Sequence, residues 1–318
     1  MSSATDRRLT LLLLILLPAL AWSTDNNFHK SILVFGVVNA ISAVGLCLML
    51  GLAGQISLGQ AAFFGIGAYV TSNLVTRLGV EPALAIVLAA CSAMILGWAI
   101  SRPLSRLHDH YLAMATLAFG TVMYIGFANA RDWTGGLDPG MSVPKFTVFG
   151  YDMSSMNALF VVSWIALTLS VFVANNIFGH RIGRTLRAMK MSAPAAASVG
   201  IDVVQAKAFV FAIGALLTGL AGGLYAYVAR SFNAGVFGVG YSIELLMMVV
   251  IGSLSRVSGA ITGAFIITVL PILFDRFEDY RTLVFGVTMV LIMKFMPTGL
   301  VDGLFSLGAR LLRSERRE

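Results

Sequence analysis

Gln55, Ser57 and Gln60 stand within six positions of one another in a stretch, Gly51–Tyr69, that is otherwise apolar and carries five glycines. Neutral amide and hydroxyl groups bind a polar solute without fixing a charge. Glycine-rich irregular backbone at membrane depth is tolerated only where protein or an aqueous cavity satisfies its polar groups. The same spacing also suits close packing, since Ala61-x-x-x-Gly65 lets helices approach. Both readings stand at this point. Glu244 opens a later apolar run, where a carboxylate is favoured by the helix dipole or can face a pathway. A second cluster is cationic: Arg181, Arg184, Arg187 and Lys190 recur every third residue. Ser192 then suits a helix N-cap, Pro194 its first turn, and Gly200 a left-handed stop before Asp202.

Other chemistries find no support. None of the five lysines, Lys30, Lys145, Lys190, Lys207 and Lys294, follows a glycine, so there is no phosphate-binding loop. No His-Glu-x-x-His helix or Gly-x-Ser-x-Gly elbow occurs. His108 and His110 flank Asp109 in a short basic loop with no further ligand close by, so no metal is expected. Cys47 and Cys91 both lie in apolar runs and form no disulfide framework.

The elements that must position these groups are set by composition. The chain is 58% hydrophobic and 12% charged, against about 45–50% and about 25% for an ordinary globular domain. A soluble core of 318 residues cannot hide that much apolar surface, so lipid must solvate much of it. Ten apolar runs are candidate membrane spans: Leu9–Trp22, Ile32–Ala53, Gln60–Thr76, Ala83–Ile100, Tyr111–Asn129, Met156–Ala174, Ala208–Ala229, Ile243–Leu254, Ala260–Phe274 and Thr282–Met296. The last part of this series is read as two short helices turning near Arg256, not one long helix. The first run, preceded by Arg7 and Arg8 and followed by Ala19-Leu-Ala21, fits either a retained span or a cleavable signal peptide.

Charge tests the count. With an internal N-terminus and alternating spans, 15 of the 22 basic residues fall on the cytoplasmic side and 7 opposite, which places both termini in the cytoplasm. The net charge of +7 is therefore a topology signal, and no nucleic-acid partner is implied. No Asp, Glu, His or Lys occupies a mid-span position, whereas an ion-coupled carrier usually needs such a group on its pathway. If the chain moves a solute uphill, the energy is expected to enter through another polypeptide. A stand-alone ion-coupled secondary amino-acid carrier, using backbone carbonyls for sodium, is the alternative.

Several segments carry a family resemblance: Gly51–Tyr69, Thr134-Gly-Gly-Leu-Asp-Pro-Gly-Met-Ser142, Ile182-Gly-Arg-Thr-Leu-Arg-Ala188, Gly200-Ile-Asp202, Gly219-Leu-Ala-Gly-Gly-Leu-Tyr225, Ser242-Ile-Glu244 and Pro297-Thr-Gly-Leu-Val301. In this order the chain resembles the LivM-like permease subunits of branched-chain amino acid ABC importers, from about Ile32 to Leu304. The resemblance implies an all-α polytopic membrane protein with the ABC-importer permease fold, of about eight to ten transmembrane helices including short or re-entrant ones. Residues 1–318 would form one permease domain in the bacterial inner membrane, with a cytoplasmic coupling loop over 175–207 and a basic tail over 305–318. It further implies a homologous permease subunit as heterodimer partner, two ABC ATPase subunits and a periplasmic substrate-binding protein. No cofactor is expected on this chain, since ATP and Mg belong to the partner subunits. Arg184, Arg187, Gly200 and Asp202 would lie on the ATPase-coupling loop, and Gln55, Ser57, Gln60 and Glu244 on the translocation path. The chain departs from the family pattern at Met191, Ser192 and Ala193, where acidic residues are common, and at Ala197, where a glutamate is usual; both departures bear on charge pairing with the ATPase.

Overall fold

The computed structural model describes residues 3–23, 26–107, 109–148, 151–254 and 256–273, with isolated positions 286, 287 and 290. The expected span Thr282–Met296, those three positions apart, and the basic tail 305–318 lie outside the described residues, as does His108. Within them the chain is helical throughout its apolar runs. The helices are α1 (Ser3–Ser23), α2 (Asn27–Cys47), α3 (Gln60–Leu78), α4 (Pro82–Leu104), α5 (Asp109–Asn129), α6 (Arg131–Thr134), α7 (Met156–Gly179), α8 (Arg181–Met191), α9 (Ala193–Ser198), α10 (Val203–Ala229), α11 (Val239–Gly252) and α12 (Val257–Leu273). A π-helical turn, Leu48–Leu52, prolongs α2. Five of these are long and apolar enough to cross a membrane: α2 with its π turn, α4, α5 from Tyr111, α7 and α10. Shorter apolar helices span Leu9–Ala19, Val239–Gly252 and Val257–Ile272. Helices α11 and α12 are separate, the first ending at Gly252 and the second starting at Val257, as two short helices and not one long one.

Helices α2 and α10 form the centre, and both are mostly buried. Helix α3 packs along α10 in parallel. Gln60 meets Thr218 and Phe64 meets Gly222, while Gly67 meets Gly219 and Thr71 meets Gly223. These are i, i+4 rows of both helices interlocking. Any Cβ at Gly67 or Gly222 would collide with the facing backbone carbonyl, so glycine there is a condition of the approach. The Gly219-x-x-x-Gly223 pair also receives α4, through Ala93 and Ile86. Gly259 and Gly263 of α12 lie against Gly252 and Met248 of α11. Both motifs are therefore packing devices, the role small residues have where lipid supplies no hydrophobic drive between helices.

Side-chain contacts sort the connections onto two ends. At one end the Asp6 carboxylate accepts from the Ser258 amide and hydroxyl at the start of α12, and the Cys47 thiol donates to the Arg256 carbonyl at 3.6 Å. Lys190 reaches the end of α2 there as well. At the opposite end Arg77 donates to the Asp132 carbonyl and lies 4.3 Å from the Trp133 ring centre. A strand β1 (Met141–Ser142) pairs antiparallel with β4 (Ser231–Phe232), and β2 (Thr147–Val148) with β3 (Tyr151–Asp152). The segment after β4 turns into the bundle: Phe237 is fully buried, 5.2 Å from Tyr69 and 6.1 Å from Phe64 by ring centres.

Two boundaries differ from the sequence reading. Helix α7 continues to Gly179 and α10 begins at Val203, so both ends of the 175–207 segment are helical and the stretch between these two helices is 180–202. The charges at Lys207 and the polar Asn175 and Asn176 mark the water boundary, but an α-helix runs past that boundary until a cap stops it. Helix α11 starts at Val239, four residues before the expected Ile243, so Glu244 sits in its second turn, not its first.

Candidate functional site

The polar trio lies on the connection between α2 and α3. Residues 53–59 are non-helical apart from Ala53, and Gly54 has φ +69°, which turns the chain back toward the bundle. Gln55, Ser57 and Gln60 are 1%, 0% and 0% exposed, a depth that neutral polar groups reach only with partners or a solute path. Their partners differ. Gln60 Oε1 accepts from the Thr218 hydroxyl at 2.9 Å and its Nε2 donates to Met49 Sδ at 3.1 Å. Ser57 Oγ accepts from the Gly59 amide at 3.5 Å. The Leu58 amide donates to Thr116 Oγ1 of α5 at 3.0 Å, and the Ala61 amide to Ser242 Oγ of α11 at 2.9 Å. Neither amide atom of the Gln55 side chain has a hydrogen-bond partner. Gln60 is thus held by the bundle, whereas Gln55 is a buried amide with both its donor and its acceptor capacity unused.

Glu244 differs from this group in burial. It is exposed on α11, two residues beyond the buried Ser242 that closes on Ala61. Ser242, Thr218 and Thr116 supply the hydroxyls that hold this segment, a role their sequence positions alone did not reveal. Each is a Ser or Thr hydroxyl in an apolar helix, but a helical Ser or Thr usually bonds its own preceding turn, so type and position alone do not separate the two cases.

The second group is a compact protrusion made by α8 and α9. Helix α8 buries Gly183, Leu186 and Met189 and exposes Arg181, Arg184, Arg187 and Lys190. Its sequence carries an apolar residue every third position between the cations, so one face packs and the other is basic. Ser192 Oγ accepts from the Ala195 amide at 3.4 Å and caps α9. Gly200 has φ +85°, and Asp202 Oδ1 accepts from the Gln205 amide at 3.0 Å to start α10. Arg184 and Gly200 are exposed, as is Val199 at 75%. Arg187 donates to the Phe178 carbonyl at 3.2 Å, fastening the protrusion to the end of α7.

The described residues form a helical bundle with several helices long and apolar enough to cross a membrane, a buried polar segment and a compact protrusion at one end, the architecture of a polytopic membrane protein. Residues 29–293 match the family described as the branched-chain amino acid transport system permease component, and the chain belongs to that family. It is 28% identical to the high-affinity branched-chain amino acid transport system permease protein LivM of Salmonella typhimurium, over 94% of this chain and 76% of that one. The LivM protein of Escherichia coli K12 is similar to the same degree, 28% over 94% and 76%. The LivH permease protein of Salmonella typhimurium is 24% identical over 84% of this chain and 92% of its own length. No solved structure matches the chain.

Proposed function

We propose that this chain is the membrane-spanning, non-catalytic subunit of an ATP-driven importer for branched-chain amino acids or a related small polar solute. The names of its relatives and the all-helical permease architecture support this reading over a stand-alone ion-coupled carrier. Within it, a homologous permease forms the other half of the path, and a periplasmic binding protein delivers the solute. Two ATPase subunits bind ATP and Mg on the cytoplasmic side. The end carrying α8 and α9 faces the cytoplasm, in keeping with the basic residues Arg102, Arg106, Arg181, Arg184 and Arg187 gathered near it.

The observation that carries the docking role is the construction of the protrusion. Ser192 caps the start of α9 and Asp202 the exit into α10, its exposed surface mixes Arg184 with small and apolar residues, and Arg187 ties it to the end of α7. Such a unit moves as a rigid body when an ATPase closes on it. Arg184, Arg187, Gly200 and Asp202 belong to it: Arg184 contacts the ATPase, while the other three hold its shape. Gln55, with unused hydrogen-bonding capacity, is the group on the path that meets solute; Ser57 and Gln60 shape the wall around it.

The test is Arg184→Glu in the assembled complex. Solute-stimulated ATP hydrolysis is expected to fall to the unstimulated level while the subunit still inserts and assembles. Normal stimulated hydrolysis and uptake would rule out docking through this face.

A further inference from the structure

Lys190 is the only one of the four stripe cations whose reach leaves the protrusion for the polar segment. Its Nζ donates to the Leu50 carbonyl at 3.3 Å and the Gly51 carbonyl at 3.1 Å, in the π turn that ends α2. The last carbonyls of a helix lack intrahelical donors and carry the negative end of its dipole, so an ammonium there is both bonded and attracted. The stem of the lysine lies over Gly54, where an added Cβ would come within 3.3 Å of Lys190 Cγ. Beyond Gly54 the chain goes directly to Gln55.

Besides Thr116 at Leu58 and Thr218 at Gln60, the same short stretch is held at both ends by α11 and the residues just past it. Gly51 packs onto the Leu254 carbonyl, just past the end of α11, and a Cβ there would collide with it. Ten residues on, the Ala61 amide is taken by Ser242 in the first turn of α11. Residues 51–61 are therefore spanned by α11 from end to end and gripped by Lys190 at the side facing the protrusion. A π turn is a wide, weakly bonded geometry that recurs at functional positions, which makes it a place where a small displacement can be accepted.

We propose that Lys190 is a positioning residue that transmits movement of the α8–α9 protrusion to residues 51–61 and so to Gln55. The proposal rests on the reading of the chain as an ATP-driven importer subunit. Displacement of the protrusion pulls on the Leu50 and Gly51 carbonyls, and because α11 pins the stretch at Leu254 and Ser242, the change is confined to the backbone carrying Gln55 and Ser57. Arg184 meets the partner; Lys190 touches neither partner nor solute.

The experiment uses the full complex reconstituted in liposomes with its binding protein and L-leucine, comparing Lys190→Met and Lys190→Arg with the parent. Met keeps the stem over Gly54 and removes the ammonium. Lys190→Met is expected to lower leucine accumulated per ATP hydrolysed about tenfold while hydrolysis itself continues, and Lys190→Arg to restore most of the ratio. Amide hydrogen exchange on the same complexes is expected to be about tenfold faster at 51–59 in Lys190→Met, with α4 and α7 unchanged. An unchanged transport ratio, or uptake and hydrolysis falling together with no local change in exchange, would overturn the proposal. If the parent complex hydrolyses ATP without accumulating leucine, the substrate reading fails. The exchange at 51–59 then decides the role of Lys190 alone: faster exchange supports it, and parental exchange overturns it.

Discussion

Gln55 and Gln60 are five residues apart in sequence and chemically identical, yet the fold assigns them opposite energetics. Gln60 satisfies Thr218 and is itself satisfied, so Gln60→Leu strands a buried hydroxyl and should cost about 1–3 kcal/mol of stability. Gln55 makes no side-chain hydrogen bond in a buried position, so Gln55→Leu removes a desolvated amide and should leave the melting temperature of the purified protein equal or higher. If Gln55 faces the solute, that same variant loses uptake despite its stability. Full uptake by Gln55→Leu would remove it from the path. The two glutamines were equal candidates in the sequence, because residue type and spacing give polarity but not partners. Glu244 was a third candidate, and unlike both glutamines it is exposed, on α11.

At the scale of elements, the break between α2 and α3 is held by hydroxyls from two other helices, not by its own sequence. The Ser242 contact is the clearest case: it satisfies the Ala61 amide at the start of α3, where helix N–H groups have no intrahelical acceptor. Ser242→Ala should destabilise the protein by about 1–3 kcal/mol, read as a lowered thermal midpoint in detergent, since the orphaned amide is buried. A midpoint matching the parent would mean that another group replaces the hydroxyl at no cost. The helices themselves were legible as apolar runs, and the start of α3 at Gln60 and of α7 at Met156 coincides with the runs. Helix ends beyond the apolar core were not legible, because α7 and α10 continue into polar sequence until a cap stops them.

For the whole molecule, contacts place Asp6, the end of α2, the α8–α9 protrusion and the start of α12 at one end, and the β ribbons with Arg77 and Arg230 at the other. Sidedness can be read on a background in which Cys91 is replaced by alanine and Cys47 is retained, buried at 0% exposure. Val199→Cys, at a site 75% exposed on the protrusion, should react with an impermeant maleimide only from the cytoplasmic side. Tyr151→Cys, at a site 77% exposed on the ribbon, should react only from outside. The reverse pattern would invert the topology and with it the docking face.

Composition alone dictated a lipid-immersed helical bundle, because 58% hydrophobic residues cannot be buried in a soluble core of this length. Spacing of small residues dictated close helix contacts, because only glycine admits a facing carbonyl. Which polar groups are satisfied and which are left open was decided by the tertiary structure, since Thr218 of α10, which meets Gln60, and Ser242 of α11, which meets Ala61, lie more than 150 residues away in the chain. Hydrogen bonding is short-ranged and directional, so no local pattern could report which of two neighbouring glutamines would find a partner and which would be left without one.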